Sequence, residues 1–273
     1  MTRLLNKDTV VCMSLSARPS NFGTRFHNFL YDALNLDYLY KAFATDDIVG
    51  AIAGVRALRI RGCAISMPFK EAVIPLVDEL DASARAIDSV NTVVNTDGHL
   101  KAYNTDYLAI YQLLQQYQVD PARPFILQGS GGMAKAVAAA LKALGFAHGT
   151  LVARNEHSGR TLAALYGYDW APSCDGLSAD LLINATPLGM AGGVEASQLA
   201  FAEPLIARAS VVFDVVAMPE LTPLIRNARA QHKVVITGAE VFALQAVEQF
   251  VLYTGIRPDA TLFAAAARHA RGG

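Results

Sequence analysis

The chain has 273 residues, of which 53% are hydrophobic and 17% are charged. That length suits one or two globular domains, and so much apolar material excludes a disordered chain. A membrane span is not expected, because the longest uncharged stretch, Leu181 to Val194, includes Asn184 and falls short of the ~18 apolar residues that a span needs. The excess of Val, Ile and Ala instead predicts parallel strands covered on both faces by Ala-rich helices, in two sheets.

Charge and cysteine content narrow the partners and the compartment. A net charge of −1 with no run of Lys or Arg gives no footprint for nucleic acid, so a small molecule is the expected partner. Cys12, Cys63 and Cys174 are far apart and lack metal-ligand spacing, which indicates a reducing compartment without disulfides and no metal site. The first residues carry charges and lack the apolar core of a signal peptide, so we expect a cytoplasmic protein.

The first hundred residues alternate between strand-like and helix-like patterns. Strands are predicted at Val10–Met13, Tyr38–Phe43 and Gly62–Ser66, and helices at Phe26–Leu34, Thr45–Leu58 and Ala72–Leu80. A hairpin should follow, with strands at Ser89–Asn95 and Leu100–Asn104, because Asp97-Gly98 between them is a strong turn signal.

A second α/β pattern begins after the connector 120–124. A helix over Tyr107–Tyr117 precedes it, and the expected strands are Phe125–Gln128, Thr150–Ala153, Leu181–Asn184, Ser210–Val215 and Lys233–Thr237. Helices between them, including Met133–Leu144, complete the repeating unit of a doubly wound parallel sheet. Two closing helices, Val241–Thr254 and one from Pro258 to about Arg271, are free by pattern to pack on either lobe.

A glycine-rich turn, Gly129-Ser130-Gly131-Gly132, follows the strand Phe125–Gln128 and opens a helix. Residues without a Cβ let backbone N–H groups approach a pyrophosphate, and the helix N-terminus contributes partial positive charge. The setting therefore predicts a dinucleotide site, against the alternative that the glycines only make a sharp connection.

Cofactor choice is read at the end of the next strand. Arg154-Asn155 stands there, with Arg160 close behind, and an arginine at this place pairs with the 2′-phosphate of NADP. Glu156 is the competing signal for NAD, and Arg154 as a mere surface charge is the other alternative. Because Arg154 is the first polar residue after the strand, NADP is favoured.

Lys70 and Asp106 are charged residues that follow predicted strands of the first lobe. An ammonium and a carboxylate facing each other in a cleft supply the proton donor and the orienting group that carbonyl reduction needs. The alternatives are a helix-start lysine and an N-cap aspartate for the helix from Tyr107.

The chain resembles the shikimate dehydrogenase family from end to end. The resemblance rests on eight ordered segments: Ser14-Leu15-Ser16, Pro68-Phe69-Lys70-Glu71, Asn91-Thr92, Asn104-Thr105-Asp106, Gly129-x-Gly131-Gly132, Asn184-Ala185-Thr186-Pro187-Leu188-Gly189-Met190, Thr222-Pro223-Leu224 and Gln245-Ala246. It implies a substrate domain, residues 1–106 and 241–273, and an NADP-binding Rossmann domain, residues 107–240. It also implies an oxidoreductase that interconverts 3-dehydroshikimate and shikimate in aromatic amino acid biosynthesis, on the chorismate pathway.

Site residues follow from the same resemblance. Lys70 and Asp106 match the catalytic pair, and the positions that would hold the substrate are Ser14, Ser16, Ser66, Asn91 and Gln245. Positions expected beside the cofactor, besides the glycine turn and Arg154-Asn155, are Asn184, Thr186, Gly189 and Gly238. Each has a plain structural alternative, such as a solvent-facing serine or a turn asparagine.

Several departures from the family pattern stand out. Ala64-Ile65-Ser66 replaces the usual Asn-Val-Thr, and Ala217 stands where a tyrosine is usual, so two polar contacts are missing. A longer segment after Ser16 brings in Arg18 and Arg25, which either bind an acidic substrate or cap a surface loop. These features are similar to the divergent shikimate dehydrogenase-like branch.

The expected function is therefore reduction or oxidation of shikimate or a close cyclic hydroxy acid with NADP. Two alternatives stay open, a quinate/shikimate dehydrogenase of relaxed specificity and a non-catalytic NADP or metabolite sensor. The sequence is compatible with a monomer or a homodimer.

Overall fold

The computed structural model describes residues 5–271 and divides into two compact units. The first contains the chain up to Thr105 together with the part from Ala243, and the second runs from Asp106 to Phe242. Each unit holds one six-stranded sheet. The expected α/β architecture with a Rossmann-type sheet is confirmed. Among the residues described, no helix combines the length and hydropathy needed to cross a membrane.

The first unit is built on strands that closely follow the predicted ones. Its elements are β1 (Val10–Ser16), α1 (Phe22–Ala33), β2 (Tyr38–Ala44), α2 (Ile48–Ala57), β3 (Gly62–Ile65), a 3₁₀ helix (Ile74–Leu76), β4 (Glu79–Leu80), α3 (Ala82–Arg85), β5 (Thr92–Thr96) and β6 (His99–Tyr103). The strand order is β2-β1-β3-β5-β6-β4. The chain passes from one unit to the other inside α4 (Thr105–Gln116) and returns inside α9 (Gly238–Thr254), and α10 (Ala260–Arg271) follows.

The first sheet is mixed, which corrects the expectation of two parallel sheets. β1 pairs in parallel with β2 and β3, whereas β5 runs antiparallel to both β3 and β6. The cause is the predicted hairpin: Asp97 and Gly98 both have positive φ, 52° and 91°, the backbone of a tight two-residue turn. Such a turn can join only antiparallel neighbours.

The predicted helix over Ala72–Leu80 is wrong. Pro75 lies inside a single 3₁₀ turn, Ile74–Leu76, and no α-helix continues through it, because proline lacks the N–H that such a helix needs. The chain then joins the sheet, where Asp78 N donates to Leu100 O at 2.9 Å and Leu100 N donates to the Asp78 carboxylate at 2.7 Å. Pairing with residues twenty-two positions away outweighs the helical pattern of apolar residues.

Both faces of the first sheet are covered. One face packs Phe26 and Leu30 of α1 against Phe250 of α9 and the alanines of α10. The other face packs Leu15 and Phe69 with residues of α2. The closing helix α10 therefore belongs to the first unit, a choice that the sequence pattern had left open.

The second unit is a parallel sheet with helices between its strands. Its elements are β7 (Phe125–Gln128), α5 (Gly132–Ala143), β8 (Gly149–Val152), α6 (Glu156–Tyr166), β9 (Asp169–Ala171), β10 (Leu181–Asn184), α7 (Glu203–Arg208), β11 (Val211–Asp214), α8 (Pro223–Ala230) and β12 (Val234–Thr237). The order β12-β11-β10-β7-β8-β9 reverses direction between β7 and β10. In such sheets, ligands bind at the carboxyl edge beside that reversal.

Asp214 ties together the loops at this edge of the second sheet. Its buried carboxylate accepts hydrogen bonds from Thr222 Oγ1 at 2.6 Å, Asn184 Nδ2 at 2.9 Å and Val216 N at 3.1 Å. Burial raises the pKa of Asp214 to about 6, although these three donors oppose the rise. The carboxyl group thus stays partly protonated in mildly acidic solution.

The raised pKa predicts a pH dependence of stability. Because the folded state holds this proton more tightly than the unfolded chain, the contribution is fully present below about pH 4 and is lost as pH rises through about 6. The side chain in Asp214→Asn does not titrate, so its contribution to stability does not change with pH. Between pH 4 and 7, the unfolding free energy of the native protein should therefore fall by up to about 3 kcal/mol more than that of the variant. Urea unfolding of both proteins measures this difference, with Asp169→Asn on the exposed edge strand β9 as control. Parallel pH profiles for Asp214→Asn and the native protein would contradict the assignment.

Candidate functional site

Four chain segments reach the same edge of the first sheet. β1, β3 and β6 run in one direction and end at this edge, and the antiparallel β5 begins there. The topology therefore gathers Ser16, the turn from Ser66 to Lys70, Asn91, and the segment Asn104-Thr105, with Asp106 next along the chain. Most of the polar residues predicted for substrate and proton transfer share this edge.

The two serines of β1 differ in their surroundings. Ser14 is half-buried and lies near the hydroxyl of Tyr40, whose pKa is raised by burial. Ser16 is only 5% exposed, and its Oγ has no hydrogen-bond partner within residues 5–271. A buried hydroxyl without a partner is rare in proteins and is often a place where a water or ligand binds.

The turn after β3 is attached to the end of β1. Ser66 N donates to Leu15 O at 2.9 Å, and Ala17 N donates to Met67 O at 3.3 Å. The Ser66 side chain is exposed, and Phe69 is buried in the core and anchors the turn. Lys70 follows directly, and its carbonyl oxygen accepts from Val90 N at 2.8 Å. The lysine therefore projects from a turn with a fixed backbone.

Asn91 is the hub of this edge. Its Oδ1 accepts three hydrogen bonds, from Thr105 N at 2.8 Å, Thr92 Oγ1 at 2.9 Å and Thr105 Oγ1 at 3.1 Å. Asn91 is 3% exposed, and the three side-chain hydrogen bonds it makes with the described residues all use its oxygen. The amide nitrogen is therefore available to donate a hydrogen bond to a ligand.

Asp106 and Gln245 lie near the starts of two helices. α4 begins at Thr105, so Asp106 is inside its first turn, and the alternative of an N-cap for a helix from Tyr107 is wrong. Gln245 belongs to α9, and its Oε1 lies 3.3 Å from Thr105 Oγ1, whose one hydrogen is also directed at Asn91 Oδ1. Thr105 thus connects Asn91 and Gln245 through its hydroxyl.

In the second unit the glycine turn has the shape that a pyrophosphate needs. Gly129 has φ of +124°, and a Cβ there would lie 2.8 Å from the carbonyl oxygen of Ala185, so only glycine fits. A Cβ on Gly131 or Gly132 would meet nothing within 4 Å, which leaves open space beside the N-terminus of α5. No side chain caps that helix, and its first turn carries no acidic residue. The cradle fits an anionic dinucleotide.

Arg154 and Glu156, the two residues that bear on cofactor choice after β8, have different surroundings. Glu156 binds Arg160 with Nε and Oε1 2.7 Å apart, and the Arg160 guanidinium stacks on Trp170 at 4.2 Å. The Arg154 side chain is exposed and makes no ion pair or hydrogen bond with the described residues. Asn155 caps α6 by accepting from Ser158 N at 3.0 Å, and Ser158 Oγ lies 2.8 Å from Ser130 Oγ.

The loop after β10 is held internally. Asn184 Oδ1 accepts from Thr186 Oγ1 at 2.6 Å and from Thr186 N at 3.1 Å, while its Nδ2 donates to Asp214 and to Leu188 O. Asn184 is fully buried, so its amide is used inside the protein and shapes the loop. Gly189 follows with φ of +86°.

Gly238 begins α9 against the end of β11. A Cβ on Gly238 would collide with the backbone of Val215 and Val216. Glycine is therefore required by close packing of two chain segments at this strand end.

Arg18 and Arg25 lie on the segment after β1 and in α1. Both side chains are exposed, and neither guanidinium makes an ion pair or hydrogen bond to any described residue. Neither therefore caps the loop, and a contact with an acidic substrate stays a prediction. Ala64 lies half-buried on β3 and Ala217 half-buried after β11.

Several residues of the site were not singled out from sequence. Thr92 and Thr105 are Asn91's hydrogen-bond donors, and both stood inside quoted motifs without a role of their own. Gln249 lies one helical turn after Gln245, and its Nε2 donates to Thr92 Oγ1 at 3.0 Å. The i, i+4 spacing on α9 was the available signal, since such residues share a helix face. Within residues 5–271 no three His, Cys, Asp or Glu side chains are grouped to hold a metal ion.

Comparison with known proteins shows which family has a sequence similar to this one. Residues 21–93 match the family model of the shikimate dehydrogenase substrate binding domain. The chain is 58% identical over 268 residues to the shikimate dehydrogenase-like protein of Haemophilus influenzae, covering 98% of this chain and 99% of that one. It is 35% identical over 240 residues to the shikimate dehydrogenase (NADP(+)) of Pyrococcus abyssi, covering 86% and 88%.

Solved structures agree. A shikimate 5-dehydrogenase-like protein superposes with a TM-score of 0.97 at 57% identity, covering 98% of this chain and 100% of that one. Shikimate 5-dehydrogenase from Thermus thermophilus, in complex with NADP(H) and shikimate, has a TM-score of 0.83 at 28% identity, with 96% and 99% coverage. Quinate dehydrogenase from Corynebacterium glutamicum, in complex with NAD, has a TM-score of 0.85 at 25% identity, with 96% and 98% coverage. The chain belongs to the shikimate dehydrogenase family and is similar along its length to members of the shikimate dehydrogenase-like branch.

Proposed function

We propose that the protein is an NADP-dependent oxidoreductase that interconverts 3-dehydroshikimate, or a close cyclic keto acid, with the corresponding hydroxy acid. The observation that carries the proposal is the shared edge of the first sheet, where Asn91 Oδ1 binds the first residue of α4. One hydrogen-bonded backbone thus connects the turn that bears Lys70 with the helix start that bears Asp106.

In this proposal Lys70 exchanges the proton of the reacting oxygen. When the hydroxy acid is oxidised, the Lys70 amine takes the hydroxyl proton as the carbonyl forms, and in the reverse direction the ammonium returns it. Asp106 orients the lysine toward the reacting oxygen. NADP, when bound, supplies the hydride acceptor or donor.

The remaining polar residues of the first unit would hold the substrate. Ser16 offers a buried hydroxyl without a partner among the described residues, and Ser14 a half-buried hydroxyl. Asn91 offers an amide nitrogen, Gln245 an amide and Ser66 an exposed hydroxyl. Directional donors suit a polyhydroxy acid, whose oxygens are hydrogen-bond acceptors. Residues 1–106 and 241–273 would then form the substrate domain.

The second unit, residues 107–240, would bind NADP. Backbone N–H groups of the turn Gly129 to Gly132 and the N-terminus of α5 suit the pyrophosphate, and Arg154 suits the 2′-phosphate. The pairing of Glu156 with Arg160 supports NADP over NAD, because a carboxylate already bound to arginine is a poor partner for the ribose hydroxyl. The loop from Asn184 to Gly189 and the close packing at Gly238 would shape the nicotinamide side.

Relaxed use of quinate with NAD is a second candidate, favoured by the fold match to the quinate dehydrogenase complex. Steady-state kinetics of shikimate and quinate, each with NADP and NAD, tests both candidates. We expect the highest kcat/KM for shikimate with NADP. A higher value for quinate with NAD would replace the first candidate, and tight NADPH binding without any turnover would favour a sensor.

Lys70 gives the sharpest test of the chemistry. Lys70→Met keeps the length of the side chain but cannot carry a proton, so kcat for shikimate oxidation should fall by roughly 10² to 10⁴-fold. NADPH affinity, measured by fluorescence titration, should stay unchanged. Lys7→Met, on an exposed lysine paired with Asp8, is the matched control. Turnover within a factor of two of the native protein would remove Lys70 from the proton transfer.

Arg154 tests the choice of cofactor. Arg154→Gln removes a charged donor to the 2′-phosphate, worth about 1.5–3 kcal/mol, so KM for NADP should rise roughly 10- to 100-fold while KM for NAD stays constant. Arg208→Gln at the exposed end of α7 serves as control. An equal effect on both cofactors would show that Arg154 does not read the phosphate.

A further inference from the structure

Gln249 is a buried glutamine of α9 whose side chain reaches β5. Its Nε2 donates to Thr92 Oγ1 at 3.0 Å and to the Asn91 carbonyl oxygen at 3.3 Å. A backbone carbonyl can only accept, so the amide atom facing β5 must be the nitrogen. Gln249 is 6% exposed, which keeps solvent from competing for these bonds.

Thr92 transmits this direction to Asn91. A hydroxyl has one hydrogen and two lone pairs, and a lone pair of Thr92 Oγ1 is taken by Gln249. The hydrogen is therefore directed to Asn91 Oδ1, 2.9 Å away, while Thr105 N, which can only donate, reaches the same oxygen at 2.8 Å. The carboxamide is thus held by its oxygen, and its two N–H groups are left for a ligand.

The surroundings of Gln249 keep this arrangement independent of pH near neutrality. His27 of α1 makes a polar contact with Gln249 that falls short of an ordinary hydrogen bond, and burial lowers the pKa of His27 to about 3. The neutral ring stacks on Tyr40 with centroids 4.3 Å apart. An uncharged ring therefore lies beside Gln249, the residue that directs the Thr92 hydroxyl.

Gln245 Oε1 lies 3.3 Å from Thr105 Oγ1, but the one hydrogen of that hydroxyl is also directed at Asn91 Oδ1, 3.1 Å away, so this contact does not set the direction of the Gln245 amide. The Asn91 amide, held by its oxygen, is the donor of this edge, and a donor complements oxygen acceptors and opposes a cationic donor. An ammonium placed against it would lose its hydration without gaining a partner.

We propose that Gln249 is a positioning residue that acts through Thr92 to hold the Asn91 carboxamide as a hydrogen-bond donor toward the ligand. This part of the site then selects a hydroxyl, keto or carboxylate oxygen and rejects an amino group at the same position. The inference rests on the proposed function in placing Asn91 against the substrate. The hydrogen bonds that orient Asn91 are those of the first unit itself.

A double-mutant cycle tests the path through Thr92. Gln249→Leu and Thr92→Val each break it at similar side-chain volume, and each should raise KM for shikimate by roughly 10-fold with kcat within about 2-fold. The double variant should raise KM no further than the larger single effect, because both changes release the same carboxamide. Gln116→Leu, on an exposed position of α4, is the matched control. Effects that multiply, or an unchanged KM in the single variants, would overturn the path.

Reversal of the amide tests the donor polarity. Asn91→Asp keeps an oxygen toward Thr105 and turns a second oxygen, an acceptor, toward the ligand. Binding of shikimate should weaken relative to analogues in which one ring hydroxyl is replaced by an amino group. A ratio of dissociation constants equal to that of the native protein for every analogue would contradict the donor assignment.

A readout without substrate separates this inference from the proposed function. In ¹H–¹⁵N spectra of the full chain, the Asn91 side-chain amide signals are identified by their loss in Asn91→Asp. Gln249→Leu and Thr92→Val should shift these signals, and Gln116→Leu should not. Failure of the native protein to oxidise shikimate would contradict only the proposed function. Asn91 signals unmoved in both variants would overturn the positioning role, whatever the activity.

Discussion

A single buried oxygen, Asn91 Oδ1, holds the edge of the first sheet together. It accepts from the backbone and the hydroxyl of Thr105 and from the hydroxyl of Thr92. The first N–H groups of a helix have no partner inside it, and this oxygen satisfies the one at the start of α4. Its loss would leave several buried donors unpaired, each at a cost of about 1–3 kcal/mol. The turn bearing Lys70 and the helix start bearing Asp106 both depend on the backbone that this oxygen fixes.

The second sheet is held in a similar way, with the carboxylate of Asp214 in the role that the amide oxygen of Asn91 has in the first. Asn184 and Asp214 end neighbouring parallel strands, and their side chains bind each other and the loops that follow. Asp214 also accepts a hydrogen bond from the hydroxyl of Thr222, the N-cap of α8. In both units a short polar side chain at a strand end satisfies backbone groups that the sheet leaves free. The loops are thereby held rigid at the edge where ligands of such sheets bind.

The polarity of the site follows from obligate donors and acceptors. Amide groups of Asn and Gln can present either end, but a backbone N–H or a backbone carbonyl beside them removes that freedom. Thr105 N and the Thr92 hydroxyl both bind the Asn91 oxygen, and the Asn91 carbonyl fixes the direction of the Gln249 amide. The neutral buried His27 adds no charge that would compete with them. The hydrogen-bond polarity of this region is thus set by the main chain as much as by the side chains.

Local signals in the sequence predicted much of the fold. The Asp97-Gly98 turn, the strands Phe125–Gln128 and Leu181–Asn184, and the glycine turn at Gly129 were found where expected, because turn chemistry and strand periodicity act within a few residues. The apolar spacing of Ala72–Leu80 predicts a helix, but the end of this segment forms β4 and pairs with β6.

The sequence by itself determined the order of elements, the family and the residue types available at each strand end. The tertiary structure decided which of those residues meet. Gln249 and the Asn91 carbonyl are separated by 158 positions, and no local pattern connects them. The mixed first sheet, the place of α10 and the pairing of Glu156 with Arg160 were likewise settled by packing. The physical reason is that periodicity reports which face of an element is buried, whereas the partner across that face depends on how whole elements come together.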